Sequence, residues 1–198
     1  MHRLLKLLAS LLIAGAALSG CSPMRAQNPG GALSPVNAVA VEDDARLMLA
    51  GADVVAYFTE GRYRQGSPGF RSVHEGVNFR FASAEHKAMF DAAPAKYLPQ
   101  FGGYCANGIA YGIPWGGDAD TWRIFDGRLY IFGGTASLEA FELDTPGNLA
   151  LAHRYWSEEI AGSNSFLQRA KRLVFRVPHY RSGEELARMV EEARAAKR

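Results

Sequence analysis

Phe70-Arg71-Ser72-Val73-His74-Glu75-Gly76-Val77-Asn78-Phe79-Arg80-Phe81-Ala82-Ser83 is the stretch that decides the fold class. Apolar and polar residues alternate on both sides of Glu75-Gly76, which predicts two strands, Phe70 to His74 and Val77 to Phe81, closed into a hairpin. Ser83 then stands where a helix N-cap belongs, and the spacing beyond it predicts a helix to about Ala93, stopped by Pro94, with Met89 and Phe90 facing inward. A hairpin that runs straight into a helix is not a βαβ unit. Working outward, Thr121 to Phe125 and Arg128 to Phe132 form a second hairpin on Asp126-Gly127, a type I′ signal. The apolar runs Asp53 to Phe58 and Tyr104 to Tyr111 read as short buried strands. From Asp144 the period becomes helical, with Pro146 in the first turn and Leu149, Ala152, His153, Trp156 and Ile160 on one face. After Gly162 comes a basic amphipathic segment, Phe166 to Val177, and after Pro178 a capping box, Ser182 with Glu185, opens a last helix carrying Leu186, Met189, Val190 and Ala193 inward. The class is therefore α+β: a small antiparallel sheet or hairpins packed on helices, with a C-terminal helical extension.

The N-terminal segment carries a different message. His2, Arg3 and Lys6 give a basic start, Leu7 to Leu18 an apolar run, and Leu18-Ser19-Gly20-Cys21 closes it. The run is short of the ~20 apolar residues that span a bilayer, so it reads as a signal peptide over residues 1–20. The closing four residues resemble a bacterial lipobox. That resemblance implies that Cys21 is acylated with chains such as palmitate and becomes the mature N-terminus; the alternative is a plain signal peptide with Cys21 a bystander. Ser22 at the next position implies sorting to the outer membrane, facing the periplasm. Residues 21–42, rich in Pro, Gly, Ser and Asn without hydrophobic period, are expected to be a tether, leaving 43–162 as the domain and 163–198 as the extension.

The net charge of +2 hides an asymmetry: residues 22–162 carry 11 Lys+Arg against 16 Asp+Glu, a net −5, and residues 163–198 carry 9 against 4, a net +5. Nucleic acid is not an expected partner for an exported lipoprotein, so the basic extension is expected to meet either anionic lipid or the acidic body. The chain has 2 cysteines. With Cys21 acylated, Cys105 is the remaining thiol, and no intramolecular disulfide can form.

Four blocks, Gly51-Ala52-Asp53-Val54-Val55-Ala56-Tyr57-Phe58, Glu75 to Glu85, Pro94-Ala95-Lys96-Tyr97 and Gly102-Gly103-Tyr104-Cys105-Ala106, together resemble the exported branch of the YHS-domain family. The resemblance spans roughly residues 45–160. It implies a small α+β unit of short antiparallel strands packed on helices. The family's metal-binding branch places cysteines where this chain has Ala82 and the neighbourhood of Glu85 and His86, so that motif is missing here. What remains for a metal is Cys105 with His74 and His86, and perhaps Asp53 or a tyrosine, and the soft thiol points to copper.

Each of these residues also has a plainer reading. Cys105 reads as a small buried hydrophobe or as a soft ligand. His74 and His86 read as solvated or capping histidines, and His153, beside Trp156, as a hydrogen-bonded core residue. Tyr104 and Trp115 are candidates for a ligand-binding surface, Trp115 standing in the glycine-rich loop Gly112 to Gly117 or else tucked over the core edge. No zinc spacing and no phosphate-binding glycine loop is present. The expected function is a non-enzymatic, periplasm-facing lipoprotein that binds a small ligand or a soft transition metal. An envelope scaffold without a ligand site is the alternative, and a thiol-dependent enzyme the third reading.

Overall fold

The computed structural model describes residues 35–42 and 44–197, so the signal segment and Cys21 lie outside the described residues. The α+β class holds. Strands β1 (Ala38–Val41), β2 (Asp44–Met48), β3 (Ser67–His74) and β4 (Val77–Phe81) form one sheet in the order β1-β2-β4-β3, with β2 parallel to β4 and the other pairs antiparallel. Strands β5 (Asp118–Phe125) and β6 (Arg128–Phe132) pair antiparallel as a separate ribbon. Both expected hairpins are present. Their turns put Glu75, Gly76, Asp126 and Gly127 all at positive φ, as a two-residue type I′ turn requires.

Eight helices complete the described chain: α1 (Ala56–Thr59), α2 (Ala84–Ala92), α3 (Pro94–Tyr97), α4 (Ala106–Ala110), α5 (Thr135–Glu142), α6 (Thr145–Tyr155), α7 (Ser165–Val174) and α8 (Gly183–Ala196). Ser83 caps α2 by accepting from the His86 N–H at 3.1 Å, Asp144 caps α6, and the Ser182–Glu185 capping box opens α8. Beyond Tyr155, α6 widens into a π-turn, Trp156–Ile160. Two buried layers result. One surrounds Val54, Tyr57, Phe79, Phe81 and Phe90 under the four-stranded sheet, and the other surrounds Tyr104, Ile109, Phe132, Phe141 and Ala152 between the ribbon and α4 to α6. Val177 belongs to the second layer, with Tyr180 and Leu186 packed against it, so the C-terminal extension shares a core with the domain.

Four expectations are corrected. Asp53 to Phe58 is not a strand: the Asp53 side chain accepts from the Val55 and Ala56 N–H groups, at 2.9 and 3.3 Å, and starts α1 instead. Tyr104 to Tyr111 is not a strand either; Cys105 makes an isolated bridge to Ile131 and then caps α4. In both places the run is buried all round, and a short apolar run without polar alternation does not distinguish strand from helix. The tether ends earlier than residue 42, because Val36 is buried, β1 occupies 38–41, and the Asn37 N–H donates to the Gly102 carbonyl at 2.8 Å. Pro94 does not merely stop α2 but begins α3, where its missing N–H costs nothing, and Met89 faces solvent while Phe90 alone of the pair is buried.

Candidate functional site

Cys105 is positioned by a tight backbone path. Phe101, Gly102 and Gly103 all have positive φ, which swings the chain around so that the Cys105 N–H donates to the Trp115 carbonyl at 2.9 Å. The sulfur accepts weakly from the Gly108 N–H at 3.5 Å and lies 3.1 Å from Ser137 Oγ on α5. Two glycines close the surroundings. A Cβ on Gly117 would meet Ile131 Cγ2 at 2.5 Å and the Gly103 carbonyl at 2.8 Å, so only glycine fits there, whereas a Cβ on the exposed Gly133 would stand 3.6 Å from the sulfur. The thiol is thus buried (3% exposed) beneath a wall that has no side chain at Gly133. Trp115 contributes through its carbonyl and lies against Gly108, with 40% of its surface open.

The other expected ligands are engaged elsewhere. His86 Nδ1 lies 2.6 Å from Asp53 Oδ2, and its Nε2 lies 3.2 Å from Thr59 Oγ1 and 3.8 Å from Glu60 Oε1. Asp53 is fully buried and accepts from the Ala82 N–H as well, at 2.8 Å, so this carboxylate ties the start of α1 to the end of β4 and the first turn of α2. His74 sets its ring edge-on to Phe90 and its Nε2 3.9 Å from Glu75. Cys105, His74 and His86 therefore keep separate partners, and among the described residues no group of three or more His, Cys, Asp or Glu side chains is arranged to hold a metal ion. His153 is hydrogen-bonded as expected but sits half-buried at the edge of the core: Nε2 lies 3.2 Å from the Tyr130 hydroxyl, the ring packs on Phe101, and burial, helped by Arg128, pushes its pKa down.

Tyr104 leads to the feature that the sequence did not disclose. Its side chain is fully buried, and burial pushes the phenol up; the side chain hydrogen-bonds with Ser165 and Arg169 on α7. Around this contact the polar face of α7 is fastened down. Arg169 Nε donates to the Pro114 carbonyl at 2.8 Å, and Gln168 Nε2 donates to the Gly112 carbonyl at 3.0 Å and to Glu159 at 3.1 Å. Arg172 pairs with Glu159, donates to the Phe175 carbonyl at 3.1 Å and lies over the Tyr155 ring, while Lys171 reaches Glu159 at 2.8 Å. Burial alone would raise the Glu159 carboxyl, but Lys171, Gln168 and Arg172 outweigh it and hold the group below the usual carboxylate range.

The consequence is an inside-out helix. Ser165, Gln168, Arg169 and Arg172 are buried, while Phe166 is 48% exposed, Leu167 64%, Leu173 73% and Val174 73%, with Phe175 just beyond at 68%. Of the expected apolar stripe only Val177 faces the core. An amphipathic helix normally turns its apolar face to the nearest core. Here the body offers α7 a carboxylate and two loop carbonyls, and these select the polar face. No long-range signal in the sequence links Glu159, Gly112 and Pro114 to this helix, so its orientation could not be read in advance.

No family model, curated protein or solved structure matches the chain. The likeness to YHS domains therefore rests on the four sequence blocks.

Proposed function

We propose that this protein is a non-enzymatic interaction module of the bacterial cell envelope: a YHS-like domain, tethered through acylated Cys21 at the outer membrane and facing the periplasm, whose working surface is α7. The observation that carries this reading is the fastening of α7 by its polar face, which spends four buried polar side chains, Ser165, Gln168, Arg169 and Arg172, on holding an apolar face toward solvent. Left to hydrophobicity alone, the same helix would bury Phe166, Leu167 and Leu173, at ~1.5–3 kcal/mol for each large side chain. What supports the tether is the lipobox-like Leu18-Ser19-Gly20-Cys21 that closes the N-terminal apolar run. Mass spectrometry of the mature protein is expected to find an acylated Cys21, and Cys21→Ser is expected to abolish that mass and change its membrane fractionation. An unmodified mature chain whose fractionation does not respond to Cys21→Ser would remove the tether.

A second reading rests on Cys105. A sulfur 3.1 Å from a hydroxyl, under a wall without a side chain at Gly133, is a one-thiol locus for a small soft ligand, with copper as the test ion. Thiolate coordination predicts that Cu(I) affinity drops at least ~10-fold in Cys105→Ala and weakens as pH falls. Equal affinities for the two proteins would retire this reading. Thiol-dependent catalysis has less support, because the described partners of the sulfur are a hydroxyl and a peptide N–H, and neither is a general base.

A further inference from the structure

We infer that the outward face of α7 docks on an anionic lipid surface, forming a second attachment beside the acyl chains; the inference rests on the reading of α7 as the working surface and names what covers it. Five large apolar side chains within ten residues, Phe166, Leu167, Leu173, Val174 and Phe175, stand between roughly half and three quarters exposed, and Ala170 is exposed among them. They account for most of the exposed large hydrophobic side chains in the described residues. The patch is local and continuous along one helix.

The stretch of chain that carries it is basic. From Ser163 to Gly183 the sequence has five basic residues, Arg169, Lys171, Arg172, Arg176 and Arg181, and no acidic one. Glu159 is the carboxylate beneath, and it is already shared by Lys171, Arg172 and Gln168. Arg176 remains on the surface over the Tyr180 ring, and Lys171 is half exposed at the flank of the apolar face. An apolar strip with a basic margin matches the headgroup boundary of an anionic bilayer, where the strip enters the acyl edge and the cations meet phosphates.

The geometry disfavours a second copy of the chain. A stable dimer interface draws on roughly 20–30 residues a side, and this face offers Phe166, Leu167, Leu173, Val174 and Phe175 with Ala170 among them. Pairing two such faces would also gather the basic flanks of both copies, Lys171 and Arg176, into one interface. A bilayer asks for neither area nor shape complementarity. It also lies within reach: the described residues begin at Pro35, whose carbonyl abuts Gly102, and fourteen residues separate it from Cys21, a length of chain that spans at most ~50 Å.

The test uses the mature chain from residue 22, which keeps every described residue and lacks both the apolar Leu7 to Leu18 run and the acyl acceptor Cys21. It is mixed with vesicles of phosphatidylglycerol and phosphatidylcholine, and with vesicles of phosphatidylcholine alone, and bound protein is measured by co-sedimentation. Binding to the anionic vesicles that weakens with salt, and that falls at least ~10-fold in Leu173→Glu/Val174→Glu, establishes the docking face. Both positions are about three quarters exposed, so the variant retains its fold, which circular dichroism and the melting curve check. Binding that survives Leu173→Glu/Val174→Glu overturns the inference, because the lipid contact then lies elsewhere. Failure to bind, together with concentration-dependent self-association abolished by the same substitutions, overturns the lipid occupant while leaving α7 as the working surface. A chain that neither binds vesicles nor associates with itself overturns both.

Discussion

Asp53 shows how a single side chain can fix a local architecture. Its two oxygens receive the N–H groups of Val55, Ala56 and Ala82 and the Nδ1 of His86, the last at 2.6 Å, and the residue is shut off from water. A buried carboxylate is tolerable only when its acceptor sites are filled, and these are. Asparagine has the same shape but presents an NH₂ where one oxygen was, so either the Ala82 N–H and His86 or the start of α1 would face a donor instead of an acceptor. Asp53→Asn should therefore lower unfolding free energy by about 2–4 kcal/mol, read by urea denaturation at neutral pH. A loss below about 0.5 kcal/mol would mean that the carboxylate is not what joins α1, β4 and α2. The aspartate was legible in the sequence as part of a block that resembles YHS domains, but its partners were not, because the Ala82 and His86 groups come from a segment about thirty residues away.

At the scale of elements, the hairpins and capped helices were legible and the buried runs were not. Glu75-Gly76 and Asp126-Gly127 carry their own turn chemistry, and Ser83, Asp144 and Ser182 carry their own capping chemistry, so each of those elements is encoded within a few residues. Asp53 to Phe58 and Tyr104 to Tyr111 lack such punctuation, and tertiary burial decided them. Helix α7 is the extreme case, because its local pattern names an apolar face and distant groups choose the other. Glu159 is the centre of that choice, holding Lys171, Arg172 and Gln168. Glu159→Gln should loosen α7 at a cost of about 1–3 kcal/mol, seen as faster hydrogen exchange and earlier proteolysis within 163–176 while the rest of the fold keeps its protection. The folded Glu159 carboxyl titrates below its unfolded value, so its stabilisation is complete above the ordinary carboxylate range and drains as pH falls through the depressed value. The wild-type helix should then loosen on acidification and Glu159→Gln should show less of that pH dependence; identical exchange and identical pH response in the two proteins would show that Glu159 does not hold α7.

Over the whole molecule, charge and apolar surface are divided between two ends of one chain. The body from 22 to 162 is acidic and the extension from 163 to 198 basic, and the described structure uses only part of that complementarity internally, through Glu159 under α7 and Glu139 beside Arg194 on α8. Arg176 and the exposed flank of Lys171 are left over next to the apolar face of α7. If the polar face of α7 were bound less well, the helix would be free to roll its apolar side onto the core and the surface would disappear. The buried network is thus what separates this helix from an ordinary packed amphipathic one. An acyl tether alone confines the domain to the neighbourhood of a bilayer without fixing how it sits there. With the proposed acyl tether in place, a second, weaker contact would need little affinity of its own, because the tether would set a high effective concentration of lipid around α7. The face of one short helix is enough for that task, and the proposed contact would set which side of the body, and with it the Cys105 wall at Gly133, looks away from the membrane or along it.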